Sequence, residues 1–561
     1  MRSPSRALRI IVVILALALV ATSCSKKGTT ESGSGGQTGG QIKEGGILRM
    51  TASHIDSLNP YRATSQDAFS IFQYSYPFLV IYNDTYDDFV GDFASSWETS
   101  ADGKTWTFTT QSGAKWSDGT PLTAKDVAFT MQLDMAPGSG SGGVVKHMTS
   151  AEAPDDTTVV ITYEQAVGNV LSQLQQIPIM PISVWQPLFD KGVKAVRDFQ
   201  NPAPVVSGGP FMLTEYKQDE FAKFEANPNW YGQKPHIDGF GMQSFQNSEG
   251  EISALTNGEI DLIAALEPNG VDPLKSAGLT VETTPGVEFH DIIFNSVPDN
   301  PNNPELRDPQ LRTAMEYATD RQRMIDTAML GLATTGSSIV PPVTGKWFNS
   351  ELDVLPFDLN KANQVLDDAG YKMGSDGVRV APNGNRLSYT VMAQSDQPGV
   401  DRVYEILNEN WKKIGVETKF KPLSYNQLWE ANQAPINEKT SIGEYTDFQI
   451  ILWDWVPLQD PDFILSVLLC DQYSIWSDTG YCDPGYDQMY SDQGVTVDPK
   501  ARKDLVWKMQ EKLYAEKPYI VMYYLDALYA FGPGWAGIVG SPQGPFNSLN
   551  RDTLLNVHQV G

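Results

Sequence analysis

The chain has 561 residues, and 41% of them are hydrophobic, which is enough for two or three lobes rather than a single core. Its 68 acidic and 41 basic side chains give a formal net charge of −27, so no basic surface is available for phosphates and nucleic acid is excluded as a partner. The sequence has no GxSxG, HExxH or CxxC motif, and its five histidines are too far apart to form a local metal site. We therefore expect no enzyme, no metal and no cofactor.

The first residues have the pattern of a signal peptide, Met1–Ser23. Basic residues precede the apolar run Ile10–Val20, which is too short to span a bilayer as a helix. The small residues Ala21-Thr22-Ser23 and the following Cys24 resemble the lipobox of bacterial lipoproteins, in which the cysteine thiol carries a diacylglyceryl group. Two acyl chains anchor a protein stably. We therefore predict a lipoprotein outside the cytoplasm, held at the outer face of the cell membrane by Cys24; ordinary secretion is the alternative.

A flexible tether is predicted for residues 24–46. Ser25–Gly46 is rich in glycine, serine, threonine and glutamine and shows no apolar periodicity. The first strand is expected to begin at Ile47.

A hairpin, a turn and a helix are predicted between residues 92 and 131. Asp102-Gly103 is a two-residue turn signal, because glycine accepts a positive φ and aspartate tolerates it. Threonines then alternate with Trp106 and Phe108, a pattern typical of a half-buried strand. Thr123-x-x-Asp126 is a capping-box pattern, and the apolar stripe of the helix that it starts is expected to pack on the hairpin.

The same segment contains a specific series of residues: Phe93-Ala94-x-x-Trp97-Glu98, Asp102-Gly103-x-x-Trp106-x-Phe108 and Trp116-x-Asp118-Gly119-Thr120-Pro121-Leu122-Thr123-Ala124. It resembles the signature block of the extracellular solute-binding proteins, family 5, which serve peptide- and nickel-type ABC importers. Further matches to that family lie in Phe221–Gly232, Ala254–Leu262 and Leu311–Ile325.

This resemblance implies an α/β, two-lobed periplasmic-binding-protein (Venus-flytrap) fold with an extra subdomain in lobe I. The predicted bounds are 47–68, 205–290 and 525–561 for the lobe I core, 69–204 for the extra subdomain and 291–524 for lobe II. Strands alternate with helices through much of the chain, which favours a mainly parallel sheet.

The candidate binding residues are Trp453, Asp454 and Trp455, at the end of a predicted buried strand. Two indoles around a carboxylate can clamp an elongated solute, since aromatic rings supply contact area and a carboxylate accepts from an amine or hydroxyl. In peptide-binding family members an aspartate near this point receives the α-amino group, but Asp454 is farther from the following Asp460-Pro461 turn than the family pattern has it. One tryptophan is expected to face the cleft and the other the core.

Two cysteines remain after Cys24, namely Cys470 and Cys482. In an oxidising extracellular setting we expect them to form a local disulfide; two separate thiols are the alternative.

The resemblance implies a monomeric receptor that closes around a solute and delivers it to a membrane permease driven by an ATPase. Peptides are the leading solute class, oligosaccharides are the alternative, and a metal chelate is less favoured. An extracellular hydrolase is the hypothesis from another class.

Overall fold

The computed structural model describes residues 42–560 except residues 53, 140–143, 299, 396, 433–447 and 474–476. The predicted signal peptide, Cys24 and the tether as far as residue 41 lie outside the described residues. At its end the tether prediction is wrong, because Ile42–Lys43 form a strand that pairs antiparallel with His558–Val560 near the C-terminus. A pairing between such distant segments leaves no signal in local composition.

The strands, in chain order, are β1 Ile42–Lys43, β2 Ile47–Ala52, β3 Val80–Tyr82, β4 Phe89–Gly91, β5 Ala94–Thr99, β6 Thr105–Thr110, β7 Met148–Glu152, β8 Thr158–Tyr163, β9 Phe211–Lys217, β10 Phe221–Ala226, β11 Gly239–Ser244, β12 Leu262–Ile263, β13 Thr280–Phe294, β14 Ala333–Thr335, β15 Lys372–Met373, β16 Arg379–Val380, β17 Ser388–Gln394, β18 Glu417–Leu423, β19 Ile450–Trp455, β20 Tyr519–Phe531, β21 Trp535–Ala536 and β22 His558–Val560.

The helices, in chain order, are α1 Gln66–Ser75, α2 Ala124–Met135, α3 Val170–Leu174, α4 Ile182–Phe189, α5 Val193–Asp198, α6 Ser248–Thr256, α7 Val271–Ser276, α8 Pro309–Tyr317, α9 Arg321–Thr327, α10 Leu359–Asp368, α11 Val400–Lys413, α12 Tyr425–Asn432, α13 Asp462–Ser466, α14 Pro484–Val495, α15 Pro499–Glu516 and α16 Asp552–Asn556. Within the described part of the chain, none of these helices has the length and apolar character needed to cross a membrane.

Eleven strands form one mixed sheet in the order β18-β17-β19-β13-β20-β12-β2-β11-β10-β9, with β14 paired to β20. The expectation of a mainly parallel sheet is wrong. β2 is parallel to β11 and β12, and β17 is parallel to β18 and β19, but β13 pairs antiparallel with both β19 and β20. The alternation of helices and strands reflects the parallel units around β2 and around β17, and it carries no information about the antiparallel pairs of the sheet.

The sheet carries separate hydrophobic cores. One core, which we call lobe I, gathers buried side chains from Leu48–Met242 and Tyr529–Val557. Two further clusters cover opposite faces of the sheet within residues 289–524, and we call this part lobe II. β13 and β20 continue from one lobe into the other, so the predicted boundaries at 290/291 and 524/525 fall inside these two strands. The predicted boundary at 68/69 falls inside α1.

A second, four-stranded sheet in the order β5-β6-β8-β7 adds a layer to lobe I. The predicted hairpin is confirmed as β5–β6, and Trp106 and Phe108 point to its buried side. The predicted capping box is also confirmed at the start of α2, where Thr123 and Asp126 bond to each other's backbone. α2 packs mainly on β7 and β8 rather than on the hairpin itself.

A buried ion pair connects the C-terminal segment to the rest of lobe I. Arg551 Nη1 lies 2.5 Å from Asp92 Oδ1, and the two side chains are only 2% and 3% exposed. The Arg551 Nε donates to the backbone oxygen of Gln73 at 2.7 Å, and Nη2 donates to that of Tyr76 at 2.8 Å. Asp92 also accepts from the Tyr231 hydroxyl at 3.0 Å. Because every one of these groups is paired, the buried charges are compensated.

We expect Arg551→Met to lower the free energy of unfolding by about 3–5 kcal/mol, since Asp92 is left as an uncompensated buried charge. Urea denaturation measures the change. Arg402→Met is the matched control, because Arg402 pairs with Glu405 on an exposed helix face, where such pairs contribute about 1 kcal/mol or less. Equal losses of unfolding free energy in the two variants would contradict the role of Arg551 in holding the C-terminal segment to lobe I.

Candidate functional site

The segment that follows β19 forms the lobe II side of the site. β19 lies between β13 and β17, and its first residues are buried on both faces of the sheet, as the apolar run Ile450–Leu452 requires. The strand ends before Pro457, which has no N–H to donate to a ladder. Val456, at the exit, is 49% exposed. The chain therefore leaves the sheet here and turns toward lobe I.

Trp453 and Trp455 lie on the same face of β19. Both belong to one hydrophobic cluster, and the prediction that they face opposite sides is wrong, because residues two apart on a strand share a face. The Trp453 ring stacks near Tyr425 and Trp429, with centroids 6.1 Å away in each case. Trp455 Nε1 donates to Asp478 Oδ2 at 2.7 Å.

Asp454 points to the other face and takes part in a polar network. It lies directly opposite His290 in the β13–β19 ladder, and Gln397 Nε2 donates to Asp454 Oδ1 at 2.8 Å. His290 Nε2 is 2.8 Å from Glu288 Oε1, and its ring stacks on Tyr523 at 5.0 Å. Burial raises the pKa of Asp454, and the nearby charge of His290 opposes that shift. Among the described residues, no group of three or more potential metal ligands has the geometry to hold an ion.

A cavity of about 540 Å³, which we call the interlobe cavity, lies between the two lobes. Lobe II contributes Val456, Leu458 and Gln459 to its wall, which are the residues immediately beyond the three candidates. Trp453, Asp454 and Trp455 are not among the lining residues. The volume falls within the range of roughly 300–1,000 Å³ that is usual for small-molecule sites.

The lobe I wall combines aromatic rings with side-chain amides. The aromatic residues are Tyr61, Phe69, Phe72, Phe78 and Tyr82, and the glutamines are Gln66, Gln73, Gln175, Gln176 and Gln543. Apolar walls with a few polar groups are typical of solute sites. Sequence reasoning missed these residues, although Gln66, Phe69 and Gln73 recur at helical spacing along α1 and could have indicated one lining face.

Gln459 connects the lobes at the wall of the interlobe cavity. Its Nε2 donates to the backbone oxygen of Tyr86 in lobe I at 2.9 Å and to that of Val343 in lobe II at 2.7 Å. Its Oε1 is buried and has no partner among the described residues, and the same holds for both amide atoms of Gln73 on the opposite wall. Unmet hydrogen-bonding capacity in a buried site is unfavourable until a polar group satisfies it.

Two carboxylates lie in the core of lobe II beneath this segment. Asp478 accepts from Trp455 Nε1 and from the Tyr519 hydroxyl, and burial raises its pKa to about 6. Asp291 is fully buried, and neither of its oxygens has a partner among the described residues. Burial, reinforced by the charges of Asp478 and Asp454, raises the pKa of Asp291 well above its ordinary value. Asp291 therefore favours its protonated form in the folded protein.

A disulfide joins Cys470 and Cys482, which are separated by 12 positions. It closes the loop that contains Asp478, the acceptor for Trp455. On the chain-entropy model, closing a loop of this size stabilises the fold by about 3 kcal/mol.

Comparisons with known proteins identify the type of protein. The model of the bacterial extracellular solute-binding proteins, family 5, matches residues 88–474. Protein XP55 of Streptomyces lividans is 29% identical over 458 residues, a stretch that covers 80% of this chain and 78% of that protein.

Solved structures show the same fold. The ABC transporter substrate-binding protein CtaP of Listeria monocytogenes superposes with a TM-score of 0.78 at 24% identity, covering 92% of this chain and 100% of CtaP. The oligopeptide-binding protein AppA of Bacillus subtilis, solved with a nonapeptide, superposes with a TM-score of 0.72 at 20% identity, covering 93% of this chain and 100% of AppA. The predicted α/β fold of two lobes is thereby confirmed.

The buried carboxylate Asp291 predicts a pH dependence of stability. Because its folded-state pKa is raised above the ordinary value of 3.8, the folded protein holds this proton more tightly than the unfolded chain does. The resulting stabilisation is complete below the ordinary pKa and is lost as the pH rises through the folded-state pKa. We expect Asp291→Asn to stabilise the protein by about 1–3 kcal/mol at pH 8 and to have little effect near pH 4.

Thermal unfolding across this pH range measures the effect, and Asp326→Asn, on the exposed side of α9, is the control. A stability difference between wild type and Asp291→Asn that does not grow with pH would contradict the raised pKa of Asp291.

Proposed function

The chain belongs to family 5 of the bacterial extracellular solute-binding proteins, and from that premise we propose that it captures peptides outside the cytoplasm and delivers them to a membrane permease driven by a cytoplasmic ATPase. It acts as a monomeric receptor and does not turn its solute over. The observation that carries the proposal is the interlobe cavity, whose walls come from both lobes.

Binding at such a position is coupled to lobe closure. A solute that touches both walls stabilises the closed arrangement by its extra affinity for that arrangement. Gln459 links the two events, because the side chain that lines the cavity also donates to a backbone oxygen in each lobe. The permease then recognises the closed, loaded form.

Peptides are favoured as the solute class by the polar groups of the cavity. A peptide bond carries a donor and an acceptor, which complement the unmatched amide atoms of Gln73 and Gln459. AppA, which shares the fold, is solved with a nonapeptide. Asp454 does not line the interlobe cavity, so its proposed role as acceptor of the peptide's α-amino group requires the peptide to reach past Val456 to the end of β19, with Trp453 and Trp455 supporting the strand end beside it.

Oligosaccharides are the second candidate, for a specific reason. Tyr425, Trp429 and Trp453 form a group of neighbouring rings in lobe II, and Tyr425 is 51% exposed. Aromatic faces of this kind offer apolar contact to sugar rings. A metal chelate has no support from a ligand cluster in the described residues.

The binding proposal is tested by titration calorimetry with a pool of pentapeptides that have free amino termini. We expect the wild type to bind the pool and to return every peptide intact. Gln459→Met should weaken binding by about tenfold, since it removes the amide at the wall while keeping the side-chain volume. Asp454→Asn should weaken binding by about 100-fold, and N-acetylation of the peptides should have a similar effect in wild type only.

The variants separate the possible failures. Sustained cleavage of the peptides would show a hydrolase. Binding of neutral maltooligosaccharides in place of peptides would show a sugar receptor. Loss of affinity in Gln459→Met with none in Asp454→Asn would retain the interlobe cavity as the site and reject Asp454 as the amine partner.

The membrane anchor is tested separately. Because Ala21–Cys24 resembles a lipobox, Cys24→Ser should leave the protein unprocessed or release it from the membrane fraction, as shown by fractionation and by mass spectrometry of the N-terminus. Normal processing and full membrane retention of this variant would contradict the lipoprotein proposal. A variant of the neighbouring residue outside the lipobox, Ser25→Ala, is the control.

A further inference from the structure

The charge of the interlobe cavity is opposite to the charge of the chain. The sequence carries a formal net charge of −27. The charged residues that line the cavity are nevertheless Arg62, Arg197 and a single acid, Asp134. The negative field around the protein attracts cations and not anions. A positive cavity in such a protein therefore indicates a ligand that carries a negative group.

The acidic groups near the two arginines are already engaged. Asp134 is buried and hydrogen-bonded to the hydroxyl of Tyr61. Asp198, the neighbour of Arg197, forms an ion pair with Lys194. Asp56, the acid before Arg62 in the chain, accepts from the backbone and hydroxyl groups of Thr64 and Ser65.

The arginines themselves have no acidic partner among the described residues. Arg197 donates a long hydrogen bond of 3.4 Å to the backbone oxygen of Gly138, and Arg62 is exposed at the cavity. Since a guanidinium carries five N–H donors, most of the donor capacity of both side chains has no partner within the described residues.

Most of the side-chain amides of the lobe I wall already donate hydrogen bonds within the protein. Gln66 Nε2 donates to Gln543 Oε1 at 3.1 Å, Gln175 Nε2 donates to the backbone oxygen of Ser548 at 2.7 Å, and Gln176 Nε2 donates to that of Ser172 at 3.1 Å. The guanidinium groups are therefore the strongest donors that the lobe I wall still offers to a solute.

We propose that the interlobe cavity selects solutes with an anionic group, such as a carboxylate, and that Arg62 and Arg197 of lobe I receive that group. This inference rests on the proposed capture of a solute in the interlobe cavity. It adds a requirement on the solute beyond the amine acceptor proposed at Asp454. Guanidinium groups match the planar, two-oxygen geometry of a carboxylate, and charge-assisted hydrogen bonds are stronger than neutral ones.

The experiment compares four probes by titration calorimetry on the full-length protein. Two of the probes are pentapeptide pools with amidated C-termini. One pool carries aspartate and glutamate, and the other carries asparagine and glutamine at the same positions. The other two are oligogalacturonides and neutral maltooligosaccharides. Wild type, Arg62→Gln, Arg197→Gln and the double variant are compared with Arg402→Gln, which changes an exposed arginine outside the cavity.

We expect wild type to prefer the acidic probe over its neutral counterpart by about tenfold or more, each single variant to lose about tenfold for the acidic probe, and the double variant to show no preference. Arg402→Gln should behave as wild type. The preference should also shrink with added salt, since the arginines are partly exposed.

Equal affinity of wild type for acidic and neutral peptides, or an unchanged preference in the double variant, would overturn the inference while leaving peptide capture intact. A preference for oligogalacturonides with no peptide binding would support the anionic requirement and reject peptides as the solute. Binding of only the neutral probes, or of none of the four, would reject the inference.

Discussion

The antiparallel pairing of β13 with β20 is the constraint on which the two-lobed arrangement depends. These strands pair from Thr280 opposite Phe531 to Ile293 opposite Tyr519, and they join a lobe I core to a lobe II core. The register breaks between Pro285 and Phe289. At this break Gly286 approaches the opposite strand so closely that a Cβ would lie 2.3 Å from the backbone oxygen of Leu525. A side chain here would force the strands apart, so glycine permits the crossing.

The position of the site follows from that crossing. β19 is hydrogen-bonded to β13 along its whole length, so its exit toward lobe I is fixed relative to the crossing strands. Val456 and Gln459 then reach the cavity, while the alternation of side chains along β19 sends Trp455 into the lobe II core and Asp454 into the network with His290. The same short segment thus contributes to a core, a polar network and a cavity wall.

The sequence predicted what depends on local pattern and failed where distant segments meet. The alternation around Trp106 and the capping box at Thr123 were sufficient for β6 and α2, because each is formed by neighbouring residues. The antiparallel centre of the sheet, the pairing of β1 with β22 and the lobe I wall of the cavity all join residues far apart in the chain. The resemblance to a family directed attention to the strand end at residue 453 but gave no information on Arg62, since an isolated arginine in a loop has no distinctive pattern.

The net charge of the protein acts on a solute at long range, whereas the charged side chains of the cavity act on it at short range. A net charge of −27 produces a field that repels anions from the protein as a whole, and salt screens this field beyond roughly 10 Å. At the cavity wall the guanidinium groups of Arg62 and Arg197, which have no acidic partner among the described residues, act on a bound group over a few ångströms, and salt weakens this attraction because both side chains are exposed. The buried Asp291 of lobe II does not weaken them, because burial raises its pKa well above the ordinary value and so favours its neutral form. An acidic chain can in this way present a basic site, and the sign of the site rather than that of the chain determines which solute group it holds.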